Sequence, residues 1–296
     1  MSRTLKTVAV SLTLLALTTH SFAQEKLTAI YAVDADGKNA RMISDMEGFP
    51  SVGSPDVSPD GTRIAFDGWQ DGENSGDAQI FILDIKTSKT QSVGYGAMPT
   101  WSADGKYLAY SSYDPRGVCI QAADRVASTI IDPQGWGIQW SPDGKKLAYT
   151  SRGNFIIYDL LTNSKKTIQP RADNPYRSIY WNADWSPDSK KLCFKGTLAD
   201  GTYETAIVDI SEDEPKLTVC YAYKGGYGNE FAWHPDGDRI TTVKWSKGAQ
   251  IHSFKPAANV ETSPLEGQPT DRDNVAVDWS RDGKTLYFVS RPRKSE

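Results

Sequence analysis

Short bursts of alternating apolar and polar residues recur along this chain, and the bursts come back at a regular interval. Runs such as IFILD closing at Asp84, FIIYD at Asp159 and TAIVD at Asp209 are β-branched and aromatic and too short for helices. Each reads as a strand. Six times a ten-residue phrase precedes or follows such a run: VSPDGTRIAF from Val57, WSADGKYLAY from Trp101, WSPDGKKLAY from Trp140, WSPDSKKLCF from Trp185, WHPDGDRITT from Trp233 and WSRDGKTLYF from Trp279. The starts lie 44, 39, 45, 48 and 46 residues apart, the period of a four-stranded propeller blade and too long for most helical or leucine-rich repeats.

Within each phrase an apolar residue ends one strand, Ser-Pro-Asp-Gly turns the chain, and an alternating run begins the next strand. Pro presets φ, Asp bonds backbone two residues on, and Gly takes the left-handed conformation. Ser189 replaces that Gly in the fourth copy, which predicts local backbone strain. The leading Trp is large enough to fill the space between neighbouring blades.

Third strands end at Asp84, Asp124, Asp159, Asp209 and, in a degenerate copy, Phe254; polar-apolar stretches such as KKTIQ from Lys165 and KLTVC from Lys216 read as fourth strands. Five complete blades result. The sixth hairpin, Trp279 to Phe288, lacks its own third and fourth strands downstream, whereas TAIYAVD ending at Asp34 and ARMISD from Ala40 supply such a pair near the start. The expected fold is therefore an all-β, six-bladed β-propeller over residues 24–296, closed by N-terminal strands pairing with the C-terminal hairpin.

Residues 1–23 read as a secretory signal peptide. Arg3 and Lys6 precede an apolar run from Val8 to Leu17, and Ser21-Phe22-Ala23 offers small residues for cleavage near Ala23. The run is short for a bilayer, no Cys follows for a lipid, and no later segment resembles a membrane span. The expected location is periplasmic or secreted. Cys119, Cys193 and Cys220 make an odd set in an oxidising compartment, and Cys193 and Cys220 fall two strands apart in one blade, about 9.5 Å. Three buried thiols are expected instead of a disulfide framework.

The chain has 33 Lys and Arg against 37 Asp and Glu; without Arg3 and Lys6 the balance is 31 against 37, a net charge of −6. That argues against nucleic acid as a partner. Only His234 and His252 remain after the leader, in different parts of one blade, so no His-held metal centre is expected. The loop from Asp71 to Asp77 alternates oxygen ligands around Gly, but Ile82 stands where a calcium loop needs its bidentate acid. It reads as a polar surface loop. No G-x-S-x-G nucleophile turn occurs, and acids such as Glu230 and Asp273 near the funnel read more simply as solvated carboxylates than as an acid-base pair.

The WSPDG phrase followed by Lys and an apolar pair, together with IYAVDADGKNARMI from Ile30, resembles the repeat of TolB-type propellers, a WD-like family of bacterial envelope proteins. The resemblance spans essentially all of residues 24–296. It implies the propeller architecture and an envelope protein or peptide as partner. Family members carry an α/β domain ahead of the propeller and bind a peptidoglycan-associated lipoprotein; here only Gln24 to Leu27 separate the leader from the first strand, so the expectation carried over is a protein-binding propeller and not that partner. Similar repeats occur in the non-catalytic propellers of prolyl-oligopeptidase-like peptidases and in some polysaccharide lyases.

In a four-stranded blade the fourth-to-first and second-to-third loops share one face, opposite the Ser-Pro-Asp-Gly turns. The candidate partner-binding residues on that face are Trp69, Tyr95, Trp136, Trp181, Tyr227, Asn229, Glu230, Arg272 and Asn274, with Trp136, Trp181 and Tyr227 as anchors and Arg272 and Glu230 fixing polarity. The reading is a monomeric, non-enzymatic binding module without cofactor or metal, docking a segment over its funnel. The alternative, resting on the same aromatics, is a carbohydrate-binding protein or a polysaccharide lyase or hydrolase of the extracellular space.

Overall fold

The computed structural model describes residues 27–125, 127–171, 176–225 and 227–293. The leader assigned to residues 1–23 lies outside the described residues. After β1 (Ala29–Asp34) and β2 (Arg41–Asp45), blade 1 comprises β3 (Ser51–Val57), β4 (Arg63–Trp69), β5 (Gln79–Asp84) and β6 (Lys89–Tyr95). Blade 2 follows with β7 (Ala97–Trp101), β8 (Tyr107–Tyr113), β9 (Arg116–Ala122) and β10 (Ser128–Asp132), and blade 3 with β11 (Trp136–Trp140), β12 (Lys146–Ser151), β13 (Asn154–Asp159) and β14 (Ser164–Ile168). Blade 4 holds β15 (Ser178–Ile179), β16 (Asp184–Trp185), β17 (Lys191–Thr197), β18 (Tyr203–Asp209) and β19 (Lys216–Tyr223). Blade 5 holds β20 (Tyr227–Trp233), β21 (Ile240–Trp245), β22 (Ala249–Phe254) and β23 (Ser263–Pro264), and β24 (Arg272–Trp279) with β25 (Thr285–Pro292) ends the chain.

The closing sheet has the order β2-β1-β25-β24, so the two ends of the chain share one blade. Ile30 pairs with Val289 and Val33 with Leu286, as the sequence predicts. Tyr31 stacks on Phe288 across this seam, centroids 5.7 Å apart. The buried Arg272 adds a polar lock: Nε donates to Ser290 Oγ at 3.0 Å, and Nη2 donates to the carbonyls of Ser290 and Leu27.

The six hairpin turns repeat one set of bonds. In each, the Asp Oδ1 accepts the amide two residues on, at 3.0 to 3.2 Å. In five of them the Ser hydroxyl donates to that Asp and accepts the amide five residues on; at Ser58 these bonds are 2.5 and 2.9 Å. Serine is thus a working part of the turn. Ser189 takes the glycine position with φ +58°, and its Oγ accepts the Asp143 amide of blade 3 at 3.1 Å. That bond between blades offsets the left-handed strain the sequence predicts.

The phrase tryptophans Trp101, Trp185, Trp233 and Trp279 are buried, and Trp140 is half-buried. Two carry guanidinium groups of the preceding blade on their faces, Arg63 over Trp101 at 4.4 Å and Arg239 over Trp279 at 5.1 Å. All three cysteines are buried and free, and burial pushes the Cys220 thiol up to about 12.

Two blades depart from the expected plan of five complete ones. The fourth strand of blade 5 is the two-residue β23, since Pro264 has no N–H to extend a ladder. The first strand of blade 4 is split into β15 and β16, both paired to β17, and Tyr180 to Ala183 bulge out between them.

Because β1 and β2 complete the closing sheet, deleting residues 1–46 exposes the outer edge of β25 and the buried Phe288 and Val289. We expect the deleted form to lose the single cooperative thermal transition of the full chain and to be cut rapidly near β25 in limited proteolysis. Equal melting temperatures for the two forms would show that the seam does not hold the ring.

Candidate functional site

An axial channel runs between the innermost strands. At the hairpin-turn end it widens to a cavity of about 380 Å³ lined by Pro59, Pro142, Pro187 and Pro235 of the turns with Asp56, Asp184, Asp278 and Arg281. A waist of about 50 Å³ follows, lined by Ser54, Met98, Asn182 and Glu230 with the three aspartates. Beyond it the channel opens into a funnel of about 710 Å³ on the opposite face.

The residue just before five of the six phrases lines this channel, Asp56, Thr100, Gln139, Asp184 and Asp278, whereas Ala232 at the fifth copy packs in the core. Side chains at four of these positions reach the next blade. Asp278 Oδ2 accepts the Val57 amide at 2.6 Å, Asp56 Oδ2 the Trp101 amide, Thr100 Oγ1 the Trp140 amide at 3.4 Å and Asp184 Oδ2 the Trp233 amide at 2.5 Å. The two remaining junctions use indole N–H groups, Trp185 Nε1 donating to the Gln139 carbonyl at 3.3 Å and Trp279 Nε1 to Thr241 Oγ1 at 2.9 Å.

Burial pushes all three aspartates up. Asp184 rises to about 7, by desolvation first and with repulsion from Asp56 adding to it, although the Trp233 amide opposes the change. Asp278 lies well above the usual carboxylate range, through desolvation and then the charge of Asp56, and Asp56 is raised by desolvation despite Arg281 and the Trp101 amide. Asp56 and Asp278 lie close enough together for the charge of Asp56 to help hold Asp278 up. Arg281, at the position of the turn proline, is the cation over this trio.

The funnel mouth is aromatic. Trp69 ends β4, Trp136 begins β11, Trp181 and Asn182 project from the bulge of blade 4, and Trp245 ends β21. Tyr113 meets Trp136 edge-on at 4.7 Å; Arg116 lies over Trp136 at 4.6 Å and Arg291 over Trp245 at 5.7 Å. Gly137, with φ +64°, lets Trp181 come close: a Cβ there would stand 2.2 Å from the Trp181 Cβ. Deeper in the funnel, Asp67 accepts the Met98 amide at 2.7 Å and Glu230 accepts Asn182 Nδ2 at 2.6 Å. Desolvation carries Asp67 to about 6 and Glu230 to about 7.

Of the nine sequence candidates, Trp69, Trp136, Trp181 and Glu230 meet in the funnel. Tyr227 and Asn229 belong to β20, whose Gly228 and Glu230 line it. Three candidates are placed elsewhere. Tyr95 ends the outermost strand of blade 1 and is 70% exposed, away from the axis. Arg272 is consumed by the closing seam, and Asn274 is fully buried, donating to Gln268 and Pro269 and accepting from Ser290. Both sit on β24 but point into its packing, so neither offers a polar group to a partner. In the loop from Asp71 to Asp77, Glu73, Asn74 and Asp77 accept amides of their own turn.

Sequence reasoning missed Tyr113, Trp245 and Arg291, which share one signal: each stands twelve residues after a phrase start, as Trp69 does. Asp67 and Asn182 have no such repeat position.

No protein-family model and no curated protein matches the chain. Solved structures do. One assigned as TolB from Agrobacterium tumefaciens superposes with a TM-score of 0.67 at 16% identity, covering 89% of this chain and 98% of that one. The fold is that of TolB propellers. TolB from Acinetobacter baumannii gives a TM-score of 0.60 at 16% identity over 90% of this chain and 63% of its own, the TolB-like propeller thus matching only part of that protein. An oligogalacturonate lyase in complex with manganese gives 0.54 at 13% identity, covering 89% of this chain and 82% of that chain. Among the described residues no helix is long and apolar enough to cross a membrane.

The raised channel acids set a pH dependence of opposite sign to the turn acids. A carboxyl with a folded pKa above its unfolded value loses stability as pH rises between the two, here from about 4 to about 7. Turn carboxyls such as Asp60, Asp104 and Asp282 are held low by their Ser and backbone partners and lose stability below about 4. The urea midpoint should therefore be higher at pH 5 than at pH 8. Asp278→Asn, whose amide can accept from Val57 and donate to Asp56, should flatten that slope and raise the pH 8 midpoint. A midpoint that rises from pH 5 to pH 8 would contradict the placement of these acids.

Proposed function

We propose that the chain is an exported, non-catalytic docking module whose funnel mouth binds an envelope protein or peptide. The observation that supports this most is the convergence of four indole rings, Trp69, Trp136, Trp181 and Trp245, from four different blades on one cavity. Trp181 and Trp245 remain 42% and 38% exposed. Large rigid rings with stacked guanidinium groups are the composition of interface hot spots. The lower channel acids serve the blades, since each accepts a backbone amide of its neighbour. The shared fold with TolB is consistent with a binding role.

A second reading takes the same rings as sugar platforms, favoured by Arg116 and Arg291 beside them, which suit acidic saccharides. The lyase among the structural neighbours gives that reading its substrate class, oligogalacturonate.

The test begins with photo-crosslinking in living cells from a residue at the mouth, followed by purification of the captured partner. The double substitution Trp136→Ala and Trp181→Ala should weaken binding of that purified partner by at least about 30-fold, the loss of at least one hot spot, with the fold preserved by circular dichroism. Unchanged affinity would place docking elsewhere. Saturable binding on a glycan array, or cleavage of uronic-acid polymers, would favour the saccharide reading.

A further inference from the structure

The waist below the mouth has acceptors in excess of donors. Asn182 gives its Nδ2 to Glu230, and its buried Oδ1 has no hydrogen-bond partner among the described residues. Glu230, which lines the funnel, receives that single donor on Oε2 among the described residues. In the funnel just above the waist, Asp67 adds a second carboxyl group, close enough to repel the charge of Glu230. No Lys or Arg lines the waist among the described residues: Arg116 and Arg291 lie at the rim on their tryptophans, and Arg281 is at the far end of the channel. Buried polar groups without partners are costly, and a cavity that concentrates them has a chemical complement.

We propose that the funnel receives a lysine side chain of the docked partner, its stem passing between the aromatic walls and its ammonium group meeting Glu230, Asn182 and Asp67. The proposal rests on the docking reading above and names the residue type that reading leaves open. Three acceptors match the three donors of an ammonium group. The waist, about 50 Å³, suits a compact head better than a planar guanidinium fork. The stem of a lysine is apolar, as are Met98, Trp69 and Trp136 along its path, and indole faces attract a cation as it passes. The raised Glu230 carboxyl is the mark of a charge without a counter-ion, and an arriving ammonium would restore its ionised form.

The probe is Nα-acetyl-lysine N-methylamide, titrated into the full-length, leader-cleaved protein labelled with nitrogen-15. We expect saturable shifts of the Asn182 side-chain amide, at least about tenfold weaker for the Nε-acetylated probe and at least about fivefold weaker in Glu230→Gln. Asp67→Asn serves as the second variant, and the unperturbed remainder of each spectrum reports folding. Equal binding of the acetylated probe, tighter binding of the arginine analogue, or no shift at Asn182 at saturating probe would overturn the lysine assignment. The two readings fail separately. If rim substitutions abolish partner binding while Glu230→Gln and acetylation of the partner's lysines do nothing, docking stands and the lysine falls; if the probe binds at Asn182 while rim substitutions leave the partner unaffected, the reverse holds.

Discussion

Everything in this ring depends on hydrogen bonds that leave one blade and end on the next. An innermost propeller strand is paired on one side only, so amides facing the axis have no ladder partner. Asp278, Asp56 and Asp184 accept three of these orphan amides, from Val57, Trp101 and Trp233. The packing of Trp101, Trp185 and Trp279 between blades contributes apolar burial, but it is not directional. Carboxylate-to-amide bonds fix three of the junctions at a definite angle, and the Thr100 hydroxyl and the indole N–H groups of Trp185 and Trp279 complete the circle.

That solution has an electrostatic consequence. Gathering carboxyls around a narrow axis removes them from water and sets them against one another, so Asp184 and Asp278 are pushed toward protonation and Arg281 faces the trio. The upper channel differs. Asp67 still serves a backbone amide, but Glu230 holds only a side-chain amide, and the bulge of blade 4 that carries Asn182 also delivers Trp181 to the mouth. Structure uses the acids at one end of the axis and leaves acceptors open at the other, directly beneath the aromatic rim.

Much of the fold was legible because its signals are local and repeated. The turn chemistry is contained within six residues, and the closing blade follows from counting hairpins against third and fourth strands. The funnel was legible in part, and several of its missed residues carried a repeat signature of their own. Trp69, Tyr113, Trp245 and Arg291 share one offset from the phrase, and the channel-lining Asp56, Thr100, Gln139, Asp184 and Asp278 share another. Arg272 and Asn274 read as loop residues near the mouth, yet their direction depends on a long-range partner, Ser290, that no local pattern announces. The bulge of blade 4 is likewise a tertiary event, set by two short pairings to β17. Tyr95 failed for a simpler reason: the fourth strand lies at the outside of the ring.

The most direct measurement is hydrogen exchange at single-residue resolution on the amides of Val57, Trp101 and Trp233. If neighbouring-blade carboxylates hold the ring, these three exchange as slowly as ladder amides in the middle of β4, opening only when the whole molecule unfolds. Exchange at the rate of exposed loop amides, while β4 stays protected, would contradict the account.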